Sequence, residues 1–151
     1  MKVYRIADGR HRVFDAAGAM RHGGRWNSPG RPVIYASESL SCARIELLVR
    51  LPLGRLPPSH RWIEIAIPDD LSIETLAPNA LPEWNAPDCI ASRAFGDHWL
   101  RDQRSVAMLV PSLAAPGERN VLINPEHPDF SLLSASEERE LVWDERLFRR
   151  R

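Results

Sequence analysis

The chain has 151 residues with 20 basic and 20 acidic side chains, so its formal net charge is zero. That balance speaks against a dedicated nucleic-acid binder, which carries a basic excess. An apolar content of 44% with five tryptophans excludes a disordered chain, and the length fits one domain over residues 1–151 with a single core. No N-terminal leader is visible and no run approaches a membrane span, so a cytoplasmic location without membrane association is expected.

Val3 to Ile6 is rich in β-formers and predicts a first strand. Asp8 to Gly30 is polar and rich in glycine and arginine, and is expected to be mostly loop. Pro32 to Ala36 predicts a short buried strand. Ser37 or Ser39 then caps a helix that runs to about Leu51 and stops at Pro52. The stretch from Gly54 to His60, with Pro57 and Pro58, reads as a loop, and Trp62 to Ile67 as a clear strand. Pro68-Asp69-Asp70 is a turn. A second helix is predicted from Asp88 to about Asp102, with Ile90, Ala94 and Leu100 among its apolar positions. Val106 to Val110 and Asn120 to Ile123 complete the buried strands. Glu137 to Arg146 contains helix formers, yet Leu141-Val142-Trp143 suits a strand, so local sequence leaves this part open. The expected fold class is α+β: a small twisted mixed sheet with flanking helices.

Two cysteines, Cys42 and Cys89, lack a CxxC or zinc-type spacing and read as small apolar side chains. No cluster has convincing metal spacing, so no metal is expected. There is no P-loop and no GxGxxG, so any dinucleotide would not be held in a Rossmann manner.

The most informative residues are Gly23-Gly24-Arg25-Trp26-Asn27, then Tyr35, then Glu46. The two glycines let the backbone turn sharply and approach a ligand, and a guanidinium grips a phosphate through two parallel hydrogen bonds. The plainer reading of Arg25 is a surface arginine in a loop. Tyr35 ends an apolar strand, either as a core residue with its hydroxyl at the surface or as a ring packed on a flat ligand. On a helical wheel Leu40, Ala43, Leu47 and Leu51 share the main buried face, with Ser39, Glu46 and Arg50 at its edge beside Cys42. Glu46 thus either pairs with Arg50 on the surface or faces a ligand past small side chains. Together the three groups suit a ligand with a pyrophosphate, a flat ring and a ribose. Ser112 follows the Val106 strand, with Ser105 and Ser92 as competitors for the same role. No GxSxG surrounds it, so a hydrolase nucleophile is not expected. Asn124-Pro125 is read as a turn and His127 as structural.

The glycine-arginine-tryptophan-asparagine motif at 24–27, Tyr35, Glu46, and the segment from Val110 through Asn120 to Pro128 resemble the RES domain, the toxin half of a bacterial toxin–antitoxin pair. The resemblance spans about Tyr4 to Phe148 and, through the match at Asp144, Arg146, Leu147 and Phe148, implies a closing strand that begins near Leu141. It implies a core related to NAD-dependent ADP-ribosyltransferases and cleavage of the nicotinamide–ribose bond of NAD as substrate. Water, phosphate or a protein would be the acceptor; a catalytically silent module of the same fold is the alternative. It assigns catalysis to Arg25, Tyr35 and Glu46 and ligand contact to these three and Ser112. It also implies an Xre-like helix-turn-helix antitoxin as partner, with no direct nucleic-acid binding by this chain and a possible homodimer within the complex. Arg10, Arg12, Arg21 and Arg25 would give the 9–30 loop a positive excess for an acidic antitoxin segment.

Overall fold

The computed structural model describes residues 1–52, 55 and 59–149. Gly54, Pro57 and Pro58 of the expected loop lie outside the described residues. The elements run β1 (Lys2–Asp8), α1 (Ala17–His22), β2 (Ile34–Ser37), α2 (Leu40–Leu48), β3 (His60–Ala66), β4 (Ile73–Thr75), α3 (Ile90–Asp102), β5 (Ala107–Pro111), β6 (Arg119–Ile123), β7 (Ser134–Ala135) and β8 (Arg139–Glu140). The fold is α+β, with one open mixed sheet in the order β4-β5-β6-β2-β1-β3-β7; β8 also pairs with β3. Among the described residues only β4 and β5 run parallel; the remaining pairs are antiparallel.

Side-chain alternation explains the two cores. Ala107, Leu109, Val121 and Ile123 join Ile34, Ile63 and Ile65 in one cluster. Met108, Val110 and Leu122, one residue out of step, join Trp26, Trp99 and Leu100 in the other. β5 is buried at all five positions because both faces are covered.

Ser39, not Ser37, caps α2: its Oγ accepts from the Cys42 amide at 3.0 Å. Of the expected buried face only Ala43 is fully buried, together with Cys42, while Leu40, Leu47 and Leu51 are half-buried. The reason is a cavity under α2, lined by Ala43, Glu46 and Leu47. On α3, Ile90 is 70% exposed and Ala94 faces solvent. The buried stripe is instead Ser92, Gly96, Trp99 and Leu100, which presents a small residue to the loop containing Trp26. The 9–30 loop contains the short helix α1.

The strand expected from Leu141 does not form. β8 ends at Glu140, and Leu141 is buried as a plug. Trp143 then packs edge-on against Phe148 at 5.9 Å and beneath the Arg44 guanidinium at 5.5 Å. The Asp144 carboxylate caps a 3-10 turn over Glu145–Leu147 by accepting from the Arg146 amide at 2.9 Å. A side-chain cap and aromatic packing outcompete β-propensity there. No helix among the described residues is long and apolar enough to cross a membrane.

Candidate active site

β2 and β6 pair with Ser37 opposite Asn120 and Tyr35 opposite Leu122. This register sets the polar floor on which α2 lays Glu46. Glu46 Oε1 accepts from Ser112 Oγ at 2.7 Å and from Asn120 Nδ2 at 2.6 Å. Asn120 is itself oriented, because its Oδ1 accepts from Ser37 Oγ at 2.8 Å. Ser112 Oγ also accepts from the Ala115 amide at 3.0 Å, which fixes its rotamer. Both bonds to the carboxylate come from neutral donors on one oxygen, so its charge is oriented without being neutralised. No ion pair links Glu46 to Arg50 among the described residues. Of the three serines considered, only Ser112 reaches Glu46: Ser105 bonds Glu74 and Ala107, and Ser92 bonds the Cys89 carbonyl.

A cavity of about 80 Å³ opens beside Glu46, lined also by Tyr4, Tyr35, Ser37, Arg50 and Asn120. Whole-ligand pockets span roughly 300–1,000 Å³, so this space takes one ring or sugar, not a dinucleotide. The Cys42 thiol lies near Asn120 Oδ1 at 3.6 Å, and burial raises its pKa.

Tyr35 joins this cavity to the glycine-arginine loop. Its hydroxyl accepts from the Trp26 amide at 3.1 Å and donates to Asn27 Oδ1 at 2.7 Å. The hydroxyl therefore serves the loop, while the ring lines the cavity. Gly24 permits this approach, since a Cβ there would lie 2.6 Å from the Tyr35 hydroxyl, and Gly23 turns the chain at φ 70°. Burial pushes the Tyr35 phenol up from 10.0 to about 12, partly offset by the bond from the Trp26 amide. The folded chain holds this proton where the unfolded chain has released it. Tyr35 accordingly contributes stability that is full below pH 10 and is lost as the pH rises toward about 12. An ultraviolet titration should show one tyrosine ionising near pH 12, absent in Tyr35→Phe; loss of an ionisation near pH 10 instead would place the phenol in water.

Arg25 is not in the cavity lining. Its Nη1 donates to the carbonyls of Trp84 at 3.1 Å and Ala86 at 2.9 Å, which docks it on the turn before α3. α3 clamps the same loop from behind. Arg93 Nε donates to the Gly24 carbonyl at 2.8 Å, and Asp97 accepts from the Ser28 amide at 2.8 Å and the Ser28 hydroxyl at 2.5 Å. Trp26 stacks on Trp84 and meets Phe95 edge-on. Asn27 Nδ2 donates to the carbonyls of Ala19 and Arg31, both at 2.9 Å. The structure thus joins Ser112 to Glu46 by a hydrogen bond, sets Glu46 and Tyr35 on one cavity, and leaves Arg25 outside its lining.

Sequence reasoning gave no site role to Asn120, Ser37 or Arg5. Asn120 had a signal, a polar residue opening an apolar strand. Arg5 fills the gap where β1 diverges from β2, donating to the carbonyls of Val13, Tyr35 and Asp15 at 2.6, 2.8 and 3.0 Å. Burial pulls its pKa down to about 10, against the pull of Asp15. His127 and Asn124 are structural: His127 Nδ1 accepts from the Asp129 amide, and Asn124 ties Leu100 to Glu126. No group of three or more metal-binding side chains occurs among the described residues.

Comparison with known proteins adds to this geometry. The sequence profile of the RES domain matches residues 2–144. The chain is 41% identical over 141 residues to the "Prs ADP-ribosylating toxin" of Sphingobium sp. (strain YBL2), covering 91% of this chain and 88% of that one. It is 34% identical over 152 residues to "Toxin Res" of Yersinia enterocolitica, covering 97% of this chain and 99% of that one. Its fold superposes on a chain in the crystal structure of the M. tuberculosis MbcT–MbcA toxin–antitoxin complex, with a TM-score of 0.75 at 20% identity over 93% of this chain and 83% of that one. The family match over nearly the whole length and the 41% identical relative lead to one conclusion: this chain belongs to the RES domain family.

Proposed function

We propose that this chain is the toxin of a toxin–antitoxin pair and that it consumes NAD by breaking the nicotinamide–ribose bond. The observation that carries the reading is the Glu46 carboxylate, fixed on one oxygen by Ser112 and Asn120 beside a ring-sized cavity. As the bond to nicotinamide lengthens, the ribose gains oxocarbenium character. A preorganised carboxylate stabilises that charge without reorganising. Its second oxygen is available to hold a ribose hydroxyl or to take a proton from the incoming nucleophile. The face of Tyr35 packs on the departing ring. Nicotinamide leaves neutral, so no strong acid is required. The relatives' names support this reading, since one of them is called an ADP-ribosylating toxin.

The acceptor is water or phosphate in the first form of the proposal. The name of the 41% identical relative favours a second, transfer to a protein. NAD labelled in its adenine half separates them. Label recovered as ADP-ribose identifies hydrolysis, a phosphate adduct identifies phosphorolysis, and label retained on a target protein identifies transfer. Intact NAD in every reaction contradicts both forms. The partner in this reading is an Xre-like helix-turn-helix antitoxin that covers the cleft, with a homodimer of this chain in the complex.

Arg25 holds the ligand's phosphate in this scheme. Its Nη1 is spent on two carbonyls, which aims the rest of the fork. Lysine keeps the charge and loses the fork. Arg25→Lys should raise the KM for NAD by about tenfold, the equivalent of one charge-assisted hydrogen bond. Equal KM values would remove Arg25 from the ligand site.

A further inference from the structure

Ser37 closes β2 and is 3% exposed. Packing alone would be served there by alanine or valine, and a buried hydroxyl is costly unless it is bonded. The sheet fixes its partner. The β2–β6 register sets Ser37 opposite Asn120, and the pairing is tied just beyond it. The Glu38 amide donates to the Arg119 carbonyl at 3.1 Å, and Arg119 Nε and Nη2 each donate to the Glu38 carboxylate at 2.7 Å. Across this pair the Ser37 hydroxyl donates to Asn120 Oδ1 at 2.8 Å. The Cys42 thiol, a weaker donor, reaches the same oxygen at 3.6 Å, and burial raises its pKa, so it keeps its proton.

The other end of the same amide serves Glu46, since Nδ2 donates to Oε1 at 2.6 Å. The terminal torsion of an asparagine is broad and soft. A bond at one end lets the amide swing; bonds at both ends hold it. Serine, amide and carboxylate thus form one chain of hydrogen bonds, each bond polarising the next. We propose that Ser37 is a positioning residue for the Glu46 carboxylate and acts through the Asn120 amide. The step it serves rests on the proposed NAD cleavage; the tether itself does not. A carboxylate held in place need not reorganise as charge develops on the ribose. Loss of the tether therefore lowers kcat and leaves KM near its value.

Ser37→Thr and Ser37→Val test this as a pair, because they differ in the hydroxyl and hardly in shape. Ser37→Ala repeats the comparison against wild type without added volume. Exchange of the Asn120 side-chain amide hydrogens is read by proton–nitrogen NMR on the NAD-free protein, the signal being identified by its absence in Asn120→Asp. Exchange should be about tenfold faster in the valine variant than in the threonine variant, and kcat for NAD about tenfold lower at equal KM, the worth of roughly one hydrogen bond. In a Glu46→Gln background the pair should differ in kcat by less than about twofold, since groups acting through one another are not additive. Equal amide exchange in the two folded variants overturns the inference. So does equal kcat despite faster exchange, or a tenfold gap that persists beside Glu46→Gln. Turnover by none of the proteins, with the difference in exchange intact, removes the proposed reaction and keeps the tether, so the two readings fail separately.

Discussion

Glu46→Gln is expected to keep the fold and to reduce the kcat for NAD cleavage about 100- to 1,000-fold, the usual cost of removing one preorganised stabilising group. The substitution is nearly isosteric. A glutamine oxygen can still accept from Ser112 and Asn120, which reach Oε1 in the parent. What disappears is the negative charge opposite the developing ribosyl cation. The loss should therefore fall on kcat, while KM and the melting temperature stay near wild type. A well-folded Glu46→Gln protein with wild-type turnover would show that the carboxylate is a structural tie. Expressed without an antitoxin, the active protein should arrest growth and the variant should not.

Gly96→Ala should be among the most damaging single changes to the fold. A Cβ at Gly96 would lie 1.8 Å from the Trp26 carbonyl oxygen and 2.8 Å from its carbon. Both are backbone atoms, so no rotamer relieves the clash, and α3 must part from the loop. Overpacking costs typically about 1–3 kcal/mol, occasionally more, and 1 kcal/mol lowers the melting temperature of a chain this size by roughly 2–4 °C. The displaced segment carries Arg25 and the two groups that hold the Tyr35 hydroxyl, so NAD turnover should fall as well. Gly18→Ala is the control. Nothing lies within 4 Å of a Cβ there, and the helical position should gain about 0.4–1 kcal/mol from reduced chain entropy. Similar melting temperatures for the two variants would mean that α3 does not press on the loop.

The central strands were legible because β-branched runs bounded by turn residues have few other solutions. β4 and β7 were not, since three and two residues carry too little pattern. α3 was found, but its apolar positions do not mark its buried face. Ile90 and Ala94 are apolar yet exposed, whereas Gly96 is buried for its lack of a side chain, a property that hydrophobic periodicity does not register. At the C-terminus, Leu141-Val142-Trp143 has the residues of a strand, yet Leu141 is buried as a plug and Trp143 packs on Phe148. The candidate site was partly legible. Tyr35 and Glu46 stood out with the family resemblance. The Ser112 and Asn120 bonds to Glu46 span 66 and 74 residues, and depend on the β2–β6 register. Arg25 likewise meets carbonyls 59 and 61 residues away. Local sequence carries no record of such distant pairings.

In the proposed reaction this chain breaks the bond between nicotinamide and ribose. Proton NMR of NAD incubated with the purified, antitoxin-free protein tests it most directly, because bound and free nicotinamide have separate ring signals. Free nicotinamide should appear in step with the loss of NAD, whichever acceptor is present. NAD that stays intact in the presence of folded protein, with phosphate and with cell extract alike, would contradict it.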